Sequence, residues 1–236
     1  MNGVTRIQGD NDMKTEPFLS PVLRMIGKAP VILREPDDRI VNWIDDGNPS
    51  YNCIQTIPRH RNPVEATTEL VNTILFGTRN LSIVDGEKIY RADGIVPQIS
   101  WNVFEFGSEY NWVSFQLITD FFYQVIDNGN TQPVVFVSPV GLSKFMSMIN
   151  MKNIVPFPIY SAGYDNEHDT HVVTLMLTTG ALVKFVTDRY INTDNIAIIV
   201  DPQEISVGSL EESDEYYSVC PCVLKDNSFG VIRMPE

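Results

Sequence analysis

The sequence predicts an α+β fold, with helices and strands mixed in one body, and three stretches carry that expectation. Residues 111–128 repeat apolar side chains at helical spacing. Val134–Val137 is an unbroken apolar strand. Residues 171–186 hold two β-rich runs joined by Thr178–Gly180, a hairpin-type connection. These three lie inside 111–208, which forms the predicted central α/β domain. The flanking divisions are 1–63, an arm with an irregular opening; 64–110, a short helix with a hairpin; and 209–236, a tail.

In chain order, residues 1–16 are polar and carry few apolar anchors, so they read as an arm. Ser20 before Pro21 is an N-cap and N1 pair, which predicts a brief helix over 21–26 closed by Gly27. Arg39–Ile44 is strand-like and ends in Asp45–Pro49, with Trp43 as a packing residue. Residues 50–63 read as irregular. Their basic tripeptide Arg59–Arg61 is either solvated or a contact to an acidic neighbouring subunit.

Leu70, Val71, Ile74 and Leu75 form an apolar stripe, and Gly77 is a natural stop, so 64–77 is a predicted helix. Residues 82–90 read as a hairpin about Asp85-Gly86, followed by an apolar patch over 92–99.

Phe115, Ile118, Phe122 and Val125, flanked by Leu117, Phe121 and Ile126, make 111–128 a broad-striped helix that Asp127–Asn130 ends. A strand as uniformly apolar as 134–137 is expected where both faces of a sheet are covered. Ser138-Pro139 then caps a helix over 139–149, lined by Leu142, Phe145, Met146 and Ile149. A loop is expected over 150–170, long enough to be functional or interfacial. After the hairpin 171–186, Ile196–Val200 is a strand broken at Asp201-Pro202, with 205–207 as its continuation. The tail opens acidic and holds two weak strands, 216–220 and 229–232.

Composition excludes several function classes. The chain has 236 residues, 43% of them hydrophobic, enough for a core. Its 17 basic and 30 acidic residues give a formal net charge of −13. Gripping nucleic acid through phosphates needs clustered Lys and Arg, so specific nucleic-acid binding is not expected. No apolar run reaches the ~18 residues of a membrane span, and no secretory leader is expected. The three cysteines, Cys53, Cys220 and Cys222, do not make a disulfide framework and suit a reducing compartment.

Candidate chemistry is sparse. His168 and His171, with Asp165 and Glu167 nearby, have a spacing that can hold an ion, and a metal-dependent enzyme using them is the alternative from another class. No third ligand stands at a motif-like distance, and ordinary loop histidines are the plainer reading. Cys220-Pro-Cys222 has one residue between its cysteines where redox pairs have two. Ser138 sits at a strand-to-helix junction, as hydrolase nucleophiles do, but Val137 and Pro139 replace the glycines that permit that strained elbow. Gly77, Gly86 and Gly94 are too dispersed for a phosphate cradle. Asp93, Asp188 and Asp201 read as turn and cap residues. No catalytic, cofactor-binding or metal residue is assigned.

The order of segments does point somewhere. Glu69–Arg79, with its Leu75-Phe76-Gly77, followed by Asp93-Gly94-Ile95, resembles the tailed-bacteriophage major capsid proteins of the HK97 fold. The helix 111–128, strand 134–137, Ser-Pro-capped helix and hairpin, then Thr187–Ile191 and Ile196–Pro202, resemble that family's axial domain and return strand. Ser20–Gly27 and Val41–Gly47 are similar to its opening. The chain departs from the pattern at 50–63, where the family has a long segment holding the extended loop and much of the spine helix. The resemblance therefore implies an HK97-like fold with an axial-type domain, an irregular N-terminal arm and a shortened extended-loop and spine-helix region.

What it implies for function is a non-enzymatic virion protein without cofactors, a major capsid subunit assembled in the host cytoplasm. Its partners would be other copies of itself, in the hexamers and pentamers of a shell around phage DNA. Scaffolding, portal or decoration proteins are further candidate partners, and no membrane is involved. A minor head or accessory protein sharing the fold is the nearest alternative. Residues 1–16, the hairpin at 85–86 and residues 150–170 are the expected intersubunit contacts.

Overall fold

A computed structural model describes residues 20–26, 55–58, 63–78, 80–84, 87–91, 93–106, 113–150, 160–166, 170–210, 216–223 and 226–235. Several expectations fall outside them: the arm 1–16, the strand-like run 39–44 with Trp43, Cys53, Arg59–Arg61, Asp85-Gly86, Glu167, His168 and the acidic start of the tail.

In chain order the elements are α1 (Pro21–Ile26), β1 (Gln55–Pro58), α2 (Pro63–Phe76), β2 (Asn80–Val84), β3 (Glu87–Arg91), α3 (Ile95–Gln98), β4 (Val103–Glu105) and β5 (Val113–Ser114). Then come α4 (Phe115–Asp127), β6 (Val134–Val137), α5 (Pro139–Met148), β7 (Ile149–Asn150), β8 (Tyr160–Asp165), β9 (Thr170–Met176) and β10 (Leu182–Thr187). The chain closes with β11 (Ile196–Val200), a 3-10 turn at Pro202–Glu204, β12 (Ile205–Leu210), β13 (Tyr216–Val223), a second 3-10 turn at Asp226–Ser228, and β14 (Gly230–Arg233). The mixed α+β class is as the sequence predicts.

The described residues form two compact units. One draws on 55–98 and 205–223, the other on 20–25, 99–204 and 226–235.

The first unit holds an antiparallel sheet in the order β1-β13-β12, the hairpin β2-β3, and helices α2 and α3. Residues 50–63 are thus not wholly irregular, because Gln55–Pro58 pairs with Tyr216–Val219. Pro221 sits in β13 opposite Val207, beyond the stretch that β1 covers. Proline has no N–H to give a ladder, and among the described residues only β12 pairs with this stretch. Residues 205–207 do not continue β11. They belong to β12 and pair with β13 in this other sheet. The chain turns between them because Asp201 accepts from the backbone N–H of Gln203 at 3.1 Å and starts the 3-10 turn.

The second unit is built on a mixed sheet in the order β4-β14-β11-β6-β10-β9-β8. β6 runs parallel to β10 and antiparallel to β11, and β4 runs parallel to β14. Alternation along the strands sends Val135, Val137, Val183, Phe185, Leu175, Ala197, Ile199 and Ile232 to one face. There they meet Phe115, Ile118, Phe122 and Val125 of α4 and Phe145 and Met148 of α5 in one buried cluster. The opposite face, with Val134, Phe136, Ile198 and Val200, is buried as well. Both faces of β6 are covered, as its uninterrupted apolar sequence requires.

Three boundaries differ from expectation. α4 starts at Phe115, not Asn111, because Val113-Ser114 pairs in parallel with Ile149-Asn150 and Ser114 then accepts from Leu117 N–H at 3.2 Å as the cap. Within 150–170, Tyr160–Asp165 is a strand paired to β9 rather than loop. The weak strand near 229–232 is β14, an interior strand between β4 and β11. A four-residue run gives little periodicity to read, yet Phe229, Val231 and Ile232 are all buried.

Candidate assembly surface

The residues that invited a chemical reading have structural employment. Ser138 caps α5, its Oγ accepting from Gly141 N–H at 2.9 Å while its hydroxyl donates to Asp194. Gly141 is required at that turn, since a Cβ would stand 2.9 Å from both Ser138 Oγ and Val137 Cγ2. Asp188 is fully buried and receives Ser20 Oγ–H, Val22 N–H at 3.2 Å and Tyr190 N–H at 2.9 Å. It therefore anchors the N-terminus of α1, whose own cap Ser20 accepts from Leu23 N–H at 3.1 Å. Asp201 receives the N–H and Oγ–H of Thr131 at 2.8 and 2.9 Å. These carboxylates are cap and turn acceptors, as their sequence positions suggest.

His171 lies in β9, exposed, with its ring edge-on to Tyr164 at a centroid distance of 5.1 Å. Among the described residues no group of three His, Cys, Asp or Glu side chains could hold a metal. Cys220 and Cys222 fall in β13, paired at backbone level with Gly208 and Ser206. Arg189 donates to the Tyr190 hydroxyl at 2.8 Å, which raises its pKa and leaves a fixed positive charge. No described helix is long and apolar enough to cross a membrane.

The two sequence segments at which the family resemblance begins meet. Gly77 follows α2 and its N–H closes on Thr73 O at 3.0 Å. Its own carbonyl accepts from Gly94 N–H at 2.7 Å. A Cβ on Gly94 would lie 2.7 Å from Gly77 N and from the carbonyl carbon of Leu75, so the backbones touch and only glycine fits. Leu75 and Ile95 are fully buried beside this crossing, and Gln98 Nε2 donates to the carbonyls of Asp93 and Gly94 at 2.9 and 3.1 Å. Leu-Phe-Gly and Asp-Gly-Ile are thus two sides of one close backbone contact.

Exposed aromatic and apolar side chains mark the two outer strands of the large sheet. On β8, residues 160–164 are all exposed, Tyr160 at 56% and Tyr164 at 47%. At β4, Trp101 is 66% and Val103 42% exposed. Asp165 ends β8 turned inward, bridged to Lys184 Nζ at 2.8 Å. Of the expected contact segments, 150–170 is the one whose described part includes an outer strand of the sheet, exposed over 160–164.

No protein-family model and no curated protein matches the chain. Solved structures do show likeness. The satellite phage P4 procapsid including its size determination protein is 8% identical, with 79% of this chain and 72% of that one covered, at a TM-score of 0.45. The holo-SrpI encapsulin complex from Synechococcus elongatus PCC 7942 is 11% identical over 76% and 71%, at 0.39. A structure from Mycobacterium phage Ogopogo is 11% identical over 77% and 74%, at 0.38. The likeness is to structures of a phage procapsid, an encapsulin complex and a mycobacterium phage. At these scores it is a likeness of coarse arrangement.

One structural centre has no sequence signal. Asn102, at φ 57, is buried in the left-handed conformation that asparagine tolerates better than most residues. Its Nδ2 donates to the carbonyls of Asn227 and Phe229 at 2.8 and 2.9 Å, and its Oδ1 accepts from Gln124 and Asn128 at 3.1 and 3.0 Å. It ties the end of α4 to the turn before β14. A lone asparagine between Trp101 and Val103 gives no pattern from which this could be read.

Proposed function

We propose that this chain is a structural virion protein, the major capsid subunit that self-assembles into an icosahedral head around phage DNA. The observation that carries the reading is the Gly77–Gly94 crossing. The sequence segments that resemble the capsid family, separated in the chain, form one tight contact that tolerates no side chain at Gly94. The axial-type body read from 111–208, which the fold builds from 99–204 and 226–235, supplies a packed core, and exposed strand edges and loops supply contacts. Shells form when each copy offers complementary surfaces around symmetry axes, so that many weak contacts add. No catalysis enters the mechanism. A net charge of −13 suits confinement of DNA without tight phosphate contacts.

Residues 1–16, the hairpin at 85–86 and residues 150–170 are the proposed intersubunit contacts, with host cytoplasm as the place of assembly. The short 50–63 connection favours a second reading, a minor head or accessory protein that joins a shell built by another chain. Electron microscopy of the purified full chain separates the two. Closed shells from this chain alone support the major subunit; particles only when a second head protein is co-expressed support the accessory role. Monomers at every concentration and in every combination remove both.

A further inference from the structure

We infer that β8 is a self-complementary edge, through which two copies pair antiparallel across a two-fold axis. This rests on the shell reading and names one of its contacts.

Four observations carry it. First, β8 ends the seven-stranded sheet, and no described strand lies on its outer side. Proteins that must keep an edge from pairing place lysine, proline or an inward charge there. Tyr160–Tyr164 carries no lysine or proline and is exposed throughout, and the one inward charge of β8, Asp165, stands at its last residue. Second, the edge is uncharged in a chain of net charge −13. Its one acid, Asp165, is turned away and bridged to Lys184. Two copies of an acidic protein repel least where neither presents charge.

Third, the sequence Tyr-Ser-Ala-Gly-Tyr is nearly symmetric about Ala162. Antiparallel pairing centred there sets Tyr160 opposite Tyr164 of the second copy, Ser161 opposite Gly163, and Ala162 opposite itself. Small side chains meet at the axis and aromatic pairs flank it on one face, a favourable cross-strand arrangement. Fourth, Tyr164 already packs edge-on against His171 at 5.1 Å, a contact that lowers the side-chain ordering cost of pairing. A two-fold contact requires this self-matching and a head-to-tail contact does not. The occupant of the edge is accordingly a second copy.

The test is disulfide trapping in the full chain. Ala162→Cys is exposed and conservative, and the pairing sets the new thiol facing its own symmetry mate. On mild oxidation the expected product is a dimer whose two copies are joined at position 162. Mass spectrometry of the linked peptide separates it from links through Cys53, Cys220 or Cys222. Mixing the single variants Tyr160→Cys and Tyr164→Cys is expected to give the 160–164 link in preference to 160–160 or 164–164. Ala162→Lys, which places like charges together at the axis, is expected to abolish the association while the melting temperature holds. Two results overturn the two-fold pairing and leave the shell reading standing. One is that the symmetric link is absent from protein that forms particles. The other is that the Ala162→Cys chain links instead to a Val103→Cys chain, at the opposite edge of the sheet. The symmetric link in protein that never forms particles keeps the pairing and removes the shell reading.

Discussion

At the scale of single residues, the glycine at the motif crossing and the buried aspartate at the α1 anchor carry the sharpest expectations. A methyl group at Gly94 would strike backbone on two sides. Gly94→Ala is therefore expected to cost about 1–3 kcal/mol, the range for forced overpacking, read as a lower denaturant midpoint. Gly180 makes a useful contrast. It holds φ +90 with nothing within 4 Å, so alanine there meets strain but no clash and should cost less. Equal midpoints for the two variants would contradict the backbone crossing. Asp188→Ala leaves Ser20 Oγ and two backbone N–H groups without their acceptor in a buried site. Each such orphan costs about 1–3 kcal/mol, and increased protease cleavage near α1 is the expected readout. Ser138 was legible as a helix cap, because Ser-Pro after an apolar strand has one strong local explanation. Asp188 was legible only as a turn residue. Its partner Ser20 lies 168 positions away, and no local pattern encodes such a pairing.

At the scale of elements, strongly periodic segments were readable and tertiary insertions were not. The helix over 21–26, the strand over 196–200 and the strand 134–137 stand where the sequence placed them. β4, β14 and β1 are three or four residues long, too short for a period to register, and they form because a sheet offers them a partner. β14 shows the consequence. Taken from sequence it is a weak strand in a tail, but it pairs on both sides within the main sheet and packs Ile232 into the central cluster. Removing residues 225–236 is expected to abolish the cooperative melting transition. A truncated chain that still melts cooperatively near the full-length temperature would show that β14 is dispensable. The exposed tyrosines of β8 were hidden in what the sequence presented as loop, since Ser, Ala and Gly between them dilute the strand signal.

At the scale of the whole molecule, charge and association pull against each other. Copies of a chain with net charge −13 repel, and salt shortens the reach of that repulsion from about 10 Å at 0.1 M to about 3 Å at 1 M. Self-association is expected to strengthen as salt rises, read as a falling concentration threshold in light scattering. A threshold that climbs with salt would mean that ion pairs, and not apolar edges, hold copies together. The central claim, that this chain builds a closed shell by itself, meets its most direct test in sedimentation velocity on the purified full chain across a concentration series. The account predicts a fast, narrow boundary that grows at the expense of the slow one above a threshold. A lone boundary at the 26.7 kDa monomer, at every concentration and salt, would contradict it.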